Sequence, residues 1–226
     1  MKQLLLFFSL FALLTGCKSD KNQKSTVDTT DVKTIPERIA KAHGIDQWDL
    51  VSTIEFTFAV DRDTIKGSGR SWKWMPQTKT VSLVTPDELI TYNTSGIDST
   101  VMAADRAFIN DKFWLLIPFQ LVWDKGANIS EPISAQAPIS GTTMDQITIT
   151  YPSQGGYTPG DAYDIYFDEN YIIREWTFRR GNDPKPTLST TFEDYEDFNG
   201  LKIATSHKRN GEGWNLKFRD VRVTLE

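Results

Sequence analysis

The sequence contains very little cysteine and histidine. Among its 226 residues there is one cysteine, Cys17, and there are two histidines, His43 and His207. A single cysteine excludes an internal disulfide framework and a zinc site built from cysteines. Two histidines are too few for a histidine-rich metal centre. We therefore expect neither a metal site nor another cofactor in this protein.

The sequence also lacks an excess of basic residues and a long apolar run. It has 25 Lys+Arg against 30 Asp+Glu, which gives a formal net charge of −5 and a pI near 5.2. Proteins that bind nucleic acid normally carry a concentrated basic face, so nucleic acid is not an expected partner. Beyond the N-terminus no apolar run reaches the about 18 residues of a membrane-spanning helix. Composition and length predict one globular domain with a tail.

The N-terminus has the features of an export signal. Residues 1–16 read MKQLLLFFSLFALLTG, in which Lys2 precedes an apolar stretch that is too short to anchor a chain in a bilayer. Such a segment is typical of a secretory signal peptide. The next stretch, Leu14-Thr15-Gly16-Cys17, resembles the bacterial lipoprotein signal, in which small residues precede a cysteine. An ordinary signal peptide followed by a chance cysteine is the alternative.

The lipoprotein resemblance implies a membrane anchor. Cleavage would leave Cys17 as the first residue, carrying a diacylglycerol and a further acyl chain such as palmitate, and two acyl signals hold a protein stably on a membrane. Lys18, rather than Asp, follows the cysteine, which in that family implies the outer membrane. Lys18-Ser19-Asp20 loosely resembles an export tag for the cell surface. We expect the protein to face the periplasm or the cell surface.

The chain after the cysteine is polar up to residue 34. Residues 18–34 read KSDKNQKSTVDTTDVKT and contain almost no large apolar side chain, so they cannot bury enough surface to fold alone. We interpret residues 17–34 as the lipidated cysteine with a flexible tether. The folded domain is then predicted to occupy residues 35–226.

Residues 35–226 are predicted to be mainly β with a short N-terminal helix. The helix follows Thr34 as a possible N-cap, has Pro36 and Glu37 in its first turn, and ends at Gly44. After Trp48, apolar and polar residues alternate with period two in many short runs separated by turn residues. This pattern predicts roughly nine to eleven antiparallel strands, and a sheet of that size curls or closes. A change of phase between Phe218 and Val221 predicts a β-bulge.

One segment, residues 107–123, departs from this alternation. It is apolar at nearly every position after Lys112 and contains Pro118. We expect a helix, interrupted at Pro118, that plugs the concave side of the sheet. Its apolar residues serve either as core packing or as a mobile element over a ligand cavity.

Three stretches resemble the periplasmic lipoprotein-carrier superfamily, the LolA/LolB-like half-barrels. They are the opening helix (Ala42-His43-Gly44 followed by Trp48), the insert Phe113–Phe119, and the late hairpin Asp194–Ile203 with its Tyr-x-x-Phe-x-Gly run. The resemblance implies a curved antiparallel sheet that forms an incomplete barrel closed by helix. It further implies a concave face that holds acyl chains, with a role in lipoprotein or lipid trafficking.

Candidate catalytic and metal-binding patterns are weak. Asp161, Asp164 and Asp168 lack the spacing of a calcium loop, and we interpret them as a solvated strand face. Residues 154–161 are rich in glycine without a phosphate-loop lysine, so we interpret them as a turn that rims the cavity. No serine lies in a G-x-S-x-G motif. A hydrolase would need a nucleophile, a base and an acid converging in one cleft, and we expect a binding protein instead.

Aromatic residues give the strongest indication of a ligand site. The sequence contains seven tryptophans, and inward positions of a half-barrel would line an apolar cavity. The hypothesis is a lipid or other hydrophobic ligand held in the concave face. The alternative is a structural or interaction lipoprotein with a filled core and an envelope protein as partner. The predicted lining is Phe56, Phe58, Trp72, Trp74, Trp114, Phe119, Trp176 and Phe178.

Overall fold

A computed structural model describes residues 33–154, 158–211 and 213–226. The predicted signal peptide, Cys17 and nearly all of the tether lie outside the described residues. Residues 33–226 form a compact unit of their own. This unit contains both hydrophobic clusters of the core. A chain that begins at Lys33 therefore keeps every contact described below.

The first helix, α1, spans Ile35–Ala42 and has the predicted N-cap. The Thr34 side chain accepts a hydrogen bond from the Glu37 amide at 3.4 Å, and the Glu37 carboxylate accepts one from the Thr34 amide at 2.7 Å. This capping box satisfies amides that have no partner inside the helix. A 3₁₀ turn, Ile45–Leu50, follows α1. The short N-terminal helix and its end at Gly44 are confirmed.

The end of α1 packs on a hairpin near the C-terminus. Gly44 has φ +93°, and a Cβ on it would lie 1.8 Å from the Gly200 carbonyl oxygen. The His43 carbonyl accepts a hydrogen bond from the Lys202 amide at 2.9 Å. The His43 ring lies 5.6 Å from the Tyr195 ring. The opening helix and the late hairpin, two of the three stretches that carry the superfamily resemblance, therefore pack directly against each other.

Thirteen strands are present in the described residues, and all their pairings are antiparallel. Their bounds are β1 Val51–Arg62, β2 Arg70–Met75, β3 Thr80–Val84, β4 Leu89–Asn93, β5 Asn128–Ile129, β6 Ile133–Gln136, β7 Thr143–Thr150, β8 Ala162–Phe167, β9 Ile173–Arg179, β10 Leu188–Thr191, β11 Glu193–Phe198, β12 Leu201–Lys208 and β13 Trp214–Leu225.

These strands form two sheets rather than the one sheet of nine to eleven strands that the pattern predicted. The first has the order β11-β12-β13-β1-β2-β3-β4, and the second has the order β10-β9-β8-β7-β5, with β6 also paired to β7. Only Phe192 separates β10 from β11, so a single run of chain passes from the second sheet to the first. Phe192 is buried, and its amide donates to the Arg174 carbonyl at 2.7 Å.

The two joined sheets leave an opening. Starting at β5, the order runs through β10 and β11 and ends at β4, and β4 is not paired with β5 in the described part of the chain. The predicted mainly β fold, an incomplete antiparallel barrel, is therefore confirmed.

The predicted bulge is also present, because the register of β1 with β13 shifts between Glu55 and Thr57. Asp220 is the residue with positive φ, 53°, at that shift.

The second helix, α2, spans Met102–Trp123 and contributes side chains to both core clusters. Phe108, Leu116 and Phe119 belong to the first cluster, while Ile117 and Leu121 belong to the second. Because α2 packs against both sheets, it closes the concave side.

The predicted interruption of this helix at its proline is present. Leu116 has non-helical angles, φ −123° and ψ 28°, two residues before Pro118. A proline removes one hydrogen bond and crowds the preceding turn. The helix begins five residues earlier than the sequence pattern predicted. Within residues 33–154, 158–211 and 213–226, no helix is both long enough and apolar enough to cross a membrane.

Candidate functional site

A cavity of about 780 Å³ lies beside α2 at the opening of the half-barrel. Thr94, directly after β4, and Ala127, directly before β5, both line it, so it lies between the two unpaired edges. Its volume is within the range of small-molecule sites. The lining consists of Thr94, Asp105, Arg106, Ile109, Asn110, Lys112, Phe113, Trp114, Gln120, Trp123, Asp124, Lys125, Gly126, Ala127, Tyr151, Pro152, Gln154, Thr158 and Tyr163.

Aromatic rings form an apolar wall of this cavity. Phe113 on α2 lies 4.8 Å from the Tyr163 ring and 6.1 Å from the Tyr151 ring. Trp114 is the next residue and also lines the cavity. Burial raises the pKa of both tyrosines well above the ordinary value, so both hydroxyls stay neutral. The wall therefore offers flat apolar surfaces with few charges, which suits an alkyl or aromatic group.

Polar groups lie at the helix side of the cavity. The Tyr151 hydroxyl donates to the Asp124 carboxylate at 2.7 Å, which connects the turn after β7 to the end of α2. Asp105 and Gln120 are both buried and face the same space. Arg106 and Lys125 are exposed at the mouth. The site is therefore amphipathic, with an aromatic wall and a charged rim.

Lys112 differs from the other charged residues of the cavity. Its ammonium lies 5.6 Å from the centroid of the Trp74 ring. Burial lowers the pKa of Lys112, while Asp124 and Asp105 act in the opposite direction. No hydrogen bond or ion pair joins it to another residue in the described part of the chain. A cation in this position attracts an anionic group.

Of the eight predicted lining residues, Trp114 lines this cavity and the other seven do not. The seven lie in or against the hydrophobic core, where α2 covers the inner face of the sheets. Five of them are buried and two, Trp74 and Phe178, are partly buried. A ligand-lining role for the predicted set stays a prediction. The five buried residues are Phe56, Phe58, Trp72, Phe119 and Trp176.

The residues that sequence reasoning missed are on one face of α2 and in the turn after β7. Asp105, Ile109, Lys112 and Phe113 recur at helical spacing and all line the cavity. A helix predicted from Met102 rather than from residue 107 would have included Asp105 and so the whole of this face. The predicted rim did lie at the cavity, because Gln154 and Thr158 line it. Residues 155–157 lie outside the description.

Several buried polar atoms lie behind Trp114. Trp114 is 4.3 Å from the Trp176 ring and 5.5 Å from the His207 ring. His207 is fully buried, and burial lowers its pKa to about 3. Its Nε2 and the Trp176 Nε1 have no hydrogen-bond partner among the described residues. Trp114 thus separates the cavity from unpaired polar groups, which are costly in an apolar interior.

The three aspartates of the weak calcium pattern each have a partner from the chain. Asp164 binds Arg179 at 2.9 Å, and Asp168 binds Arg174 at 2.7 Å. The Asp161 carboxylate accepts a hydrogen bond from the amide of residue 181 at 2.7 Å. In the part of the chain that the structure describes, no group of His, Cys, Asp and Glu has the arrangement of a metal site.

The two histidines are likewise held by the fold. The His43 Nδ1 lies 2.8 Å from the Ile39 carbonyl, and burial lowers the pKa of this histidine to about 4. The His207 Nδ1 lies 3.1 Å from the Thr191 carbonyl. The His43 Nε2 lies 3.3 Å from the Tyr195 hydroxyl, and neither histidine ring is hydrogen-bonded to a serine in the described ranges.

No protein-family model and no curated protein match this sequence. Several solved structures are similar to it, among them the following three. A LolA superfamily protein from Nitrosomonas europaea has a TM-score of 0.47 and 8% identity, covering 86% of this chain and 96% of its own. A DUF1329 family protein from Desulfovibrio piger has a TM-score of 0.43 and 12% identity, covering 84% and 91%.

The third similar structure is the lipoprotein LppX of Mycobacterium tuberculosis. Its TM-score is 0.29 and its identity is 8%, and the match covers 85% of this chain and 99% of that one. With TM-scores below 0.5 and identities of 12% or less, these three likenesses do not assign the chain to a family. The functional argument therefore rests on the cavity and its residues.

Proposed function

We propose that this protein is a lipid-anchored lipoprotein of the bacterial outer membrane that binds a lipid, an acylated molecule or another hydrophobic ligand. The observation that supports it most directly is the cavity of about 780 Å³ at the opening of the half-barrel. Its aromatic wall would hold the apolar part of a ligand. Its polar side, formed by residues of α2, would face the polar end of the ligand. The proposed role is binding and transfer rather than catalysis.

Ligand binding is tested with a chain of residues 33–226, purified without detergent. Native mass spectrometry and lipid extraction identify any molecule that is retained. A neutral fluorescent dye, phenylnaphthylamine, then reports cavity binding and its displacement. We expect one dye per chain, displaced by the extracted lipid.

A pair of cavity-filling variants makes this test specific. Ala127 lines the cavity, whereas Ala135 is a partly buried alanine of β6 outside it. Ala127→Phe should abolish dye binding because the added ring occupies the cavity, and Ala135→Phe should bind as the parent does. Equal binding by both variants would place the ligand elsewhere.

Anchoring through Cys17 is a separate part of the proposal. Cells that express the full chain and are fed labelled palmitate should incorporate the label into it, and Cys17→Ser should not. Fractionation of the envelope then shows whether the labelled chain is in the outer membrane. Release of both forms as soluble protein would contradict the anchor without affecting the cavity.

A second function is favoured by one specific observation. Val84 and Leu89 are paired at the tip of the β3–β4 hairpin and are 47% and 67% exposed. Exposed apolar pairs of this kind occur at protein interfaces. A structural or interaction lipoprotein would use them to bind an envelope protein. A native mass spectrum without any bound ligand, together with no dye binding, would favour this interaction function over ligand binding.

A further inference from the structure

The position of Lys112 bears on the chemical class of the ligand. Lys112 lies on the face of α2 that lines the cavity, one residue before Phe113 of the aromatic wall. Its ammonium lies 5.6 Å from the centroid of the Trp74 ring, and the Asp124 and Asp105 carboxylates act on it electrostatically without forming an ion pair in the described residues. A ring face attracts a cation but does not replace a hydrogen-bond acceptor. Lys112 is partly buried, and its ammonium has no hydrogen-bond acceptor among the described residues.

The other charges of the cavity do not fill this role. The Asp124 carboxylate already accepts the Tyr151 hydroxyl at 2.7 Å. Asp105 is buried and has a partner of its own. The lining holds three basic residues, Arg106, Lys112 and Lys125, against these two acids, so it has one excess positive charge. The whole chain, in contrast, has a net charge of −5.

Burying an ammonium without a partner costs free energy, and the cost is removed when an anion binds to it. Burial lowers the pKa of Lys112, which is the direction expected of a cation that lacks an acceptor. The aromatic wall of Phe113, Tyr151 and Tyr163 begins beside this cation. One molecule could therefore place an anionic head at Lys112 and an apolar chain against the wall.

We propose that the ligand is an amphiphile with an anionic head, a carboxylate or a phosphate, and that the Lys112 ammonium binds that head. This inference rests on the proposed function, because it needs the cavity to be a ligand site. It goes beyond that function by distinguishing anionic amphiphiles from neutral lipids. Lys112 would set specificity, and the aromatic wall would supply most of the apolar contact.

The test compares ligands that share one alkyl chain. The displacement of phenylnaphthylamine from the chain of residues 33–226 is measured at pH 8 for palmitate, methyl palmitate and hexadecyl phosphate. A hydrogen bond to a charged group favours the anion by about 10- to 100-fold over the neutral ester. We expect at least one of the two anions to show this preference, and the tighter of them identifies the head group.

Three variants assign the preference to a residue. Lys112→Gln should bind the anion that the parent prefers no more tightly than methyl palmitate, and Lys112→Arg should retain the preference for that anion. Lys125→Gln is the matched control, because Lys125 lines the same cavity but is exposed at its mouth. It should keep the preference. Circular dichroism shows that each variant is folded before its binding is compared.

The outcomes separate the two proposals. Equal affinity for both anions and the ester in the parent chain would overturn the role of Lys112 and leave the hydrophobic site standing. Loss of the preference in Lys125→Gln, with Lys112→Gln unaffected, would also overturn it. Failure of every ligand, and of the dye itself, to bind would instead overturn the proposed function.

Discussion

Asp111 and Lys112 follow each other on α2 and have opposite surroundings. Asp111 is fully buried, and its carboxylate accepts two hydrogen bonds from Arg70, at 2.8 and 2.7 Å, and one from the Trp72 indole at 2.9 Å. Lys112 faces the cavity and has no such partner in the described ranges. A buried charge with a full set of partners ties α2 to β2. A neighbouring charge without partners is available to a ligand.

Among single substitutions at neutral pH, the largest expected effect comes from removing the fully paired charge, Asp111. Asp111→Ala leaves the Arg70 guanidinium and the buried Trp72 indole without an acceptor. We expect the free energy of unfolding to fall by about 3–5 kcal/mol. Urea denaturation followed by tryptophan fluorescence measures the change.

The control for this variant is the residue before it. Asn110 is exposed and donates one hydrogen bond to Asp111 at 2.9 Å. Asn110→Ala should therefore lower the free energy of unfolding by only about 1 kcal/mol or less. Equal losses in the two variants would show that the Asp111 cluster does not tie α2 to the sheet.

A second comparison concerns the buried histidines and pH. In the folded chain the pKa is about 4 for His43 and about 3 for His207, both below the ordinary value near 6.5, because burial disfavours the charged ring. Below pH 6.5 the unfolded chain therefore binds more protons than the folded chain. Stability should be full above pH 6.5 and fall toward pH 4, by about 1.4 kcal/mol per pH unit for each histidine.

Replacing one histidine separates the two contributions. His207→Phe keeps a ring among Trp114, Phe192 and Phe218 but removes the titrating group. Its stability should depend on pH between 6.5 and 4 about 1.4 kcal/mol per unit less steeply than that of the parent. Urea denaturation at several pH values gives both slopes. Parallel curves would mean that His207 does not titrate as a buried group.

Trp114 lies between the cavity and two buried nitrogen atoms, His207 Nε2 and Trp176 Nε1, that have no hydrogen-bond partner among the described residues. Trp114→Ala removes ring contacts to Trp176 and His207 and should lower the free energy of unfolding by about 2–4 kcal/mol. It also opens His207 to the cavity, so the pKa of His207 should rise from about 3 toward 6.5. Proton NMR of the ring follows that titration. Trp123→Ala, at the other end of the lining, should leave the pKa of His207 unchanged.

The smallest expected effect on the free energy of unfolding comes from replacing Lys112, the charge that has no acceptor among the described residues. Lys112→Met removes an ammonium that has no acceptor, at the loss of its contact with the Trp74 ring. The two effects oppose each other, so the free energy of unfolding should change by about 1 kcal/mol or less. A loss as large as that of Asp111→Ala would show that Lys112 has a structural partner after all.

Much of the architecture could be predicted from local sequence patterns. Thr34, Pro36 and Glu37 defined the start of α1, and Gly44 defined its end, because helix caps depend on residues close in sequence. The alternation in β1, with Ile54, Phe56 and Phe58 buried, follows from the period of a strand. The bulge at Asp220 was visible as a change of phase. The division of the strands into two sheets was not visible, because it depends on the bend at Phe192.

The candidate site could be predicted only in part. An inward aromatic residue lines a cavity only if nothing covers it, and α2 covers Trp72 and Trp176. Phe108 lies 5.4 Å from the Trp72 ring, and Trp114 lies 4.3 Å from the Trp176 ring. Which residues α2 covers depends on how it packs against both sheets, which is a property of distant parts of the chain. For the same reason, the cavity residues on α2 itself, Asp105 and Lys112, could not be assigned from strand alternation.

The sequence alone determined the mainly antiparallel character, the short capped helix and the interruption at Pro118, while lipid attachment at Cys17 stays a prediction. All of these depend on the order of neighbouring residues. Tertiary structure decided that Asp111 would be paired and Lys112 left without an acceptor. That outcome arises because the two side chains leave the helix in different directions, about 100° apart. Asp111 meets Arg70 and Trp72 of β2, whereas Lys112 meets the Trp74 ring and the cavity at the opening between β4 and β5.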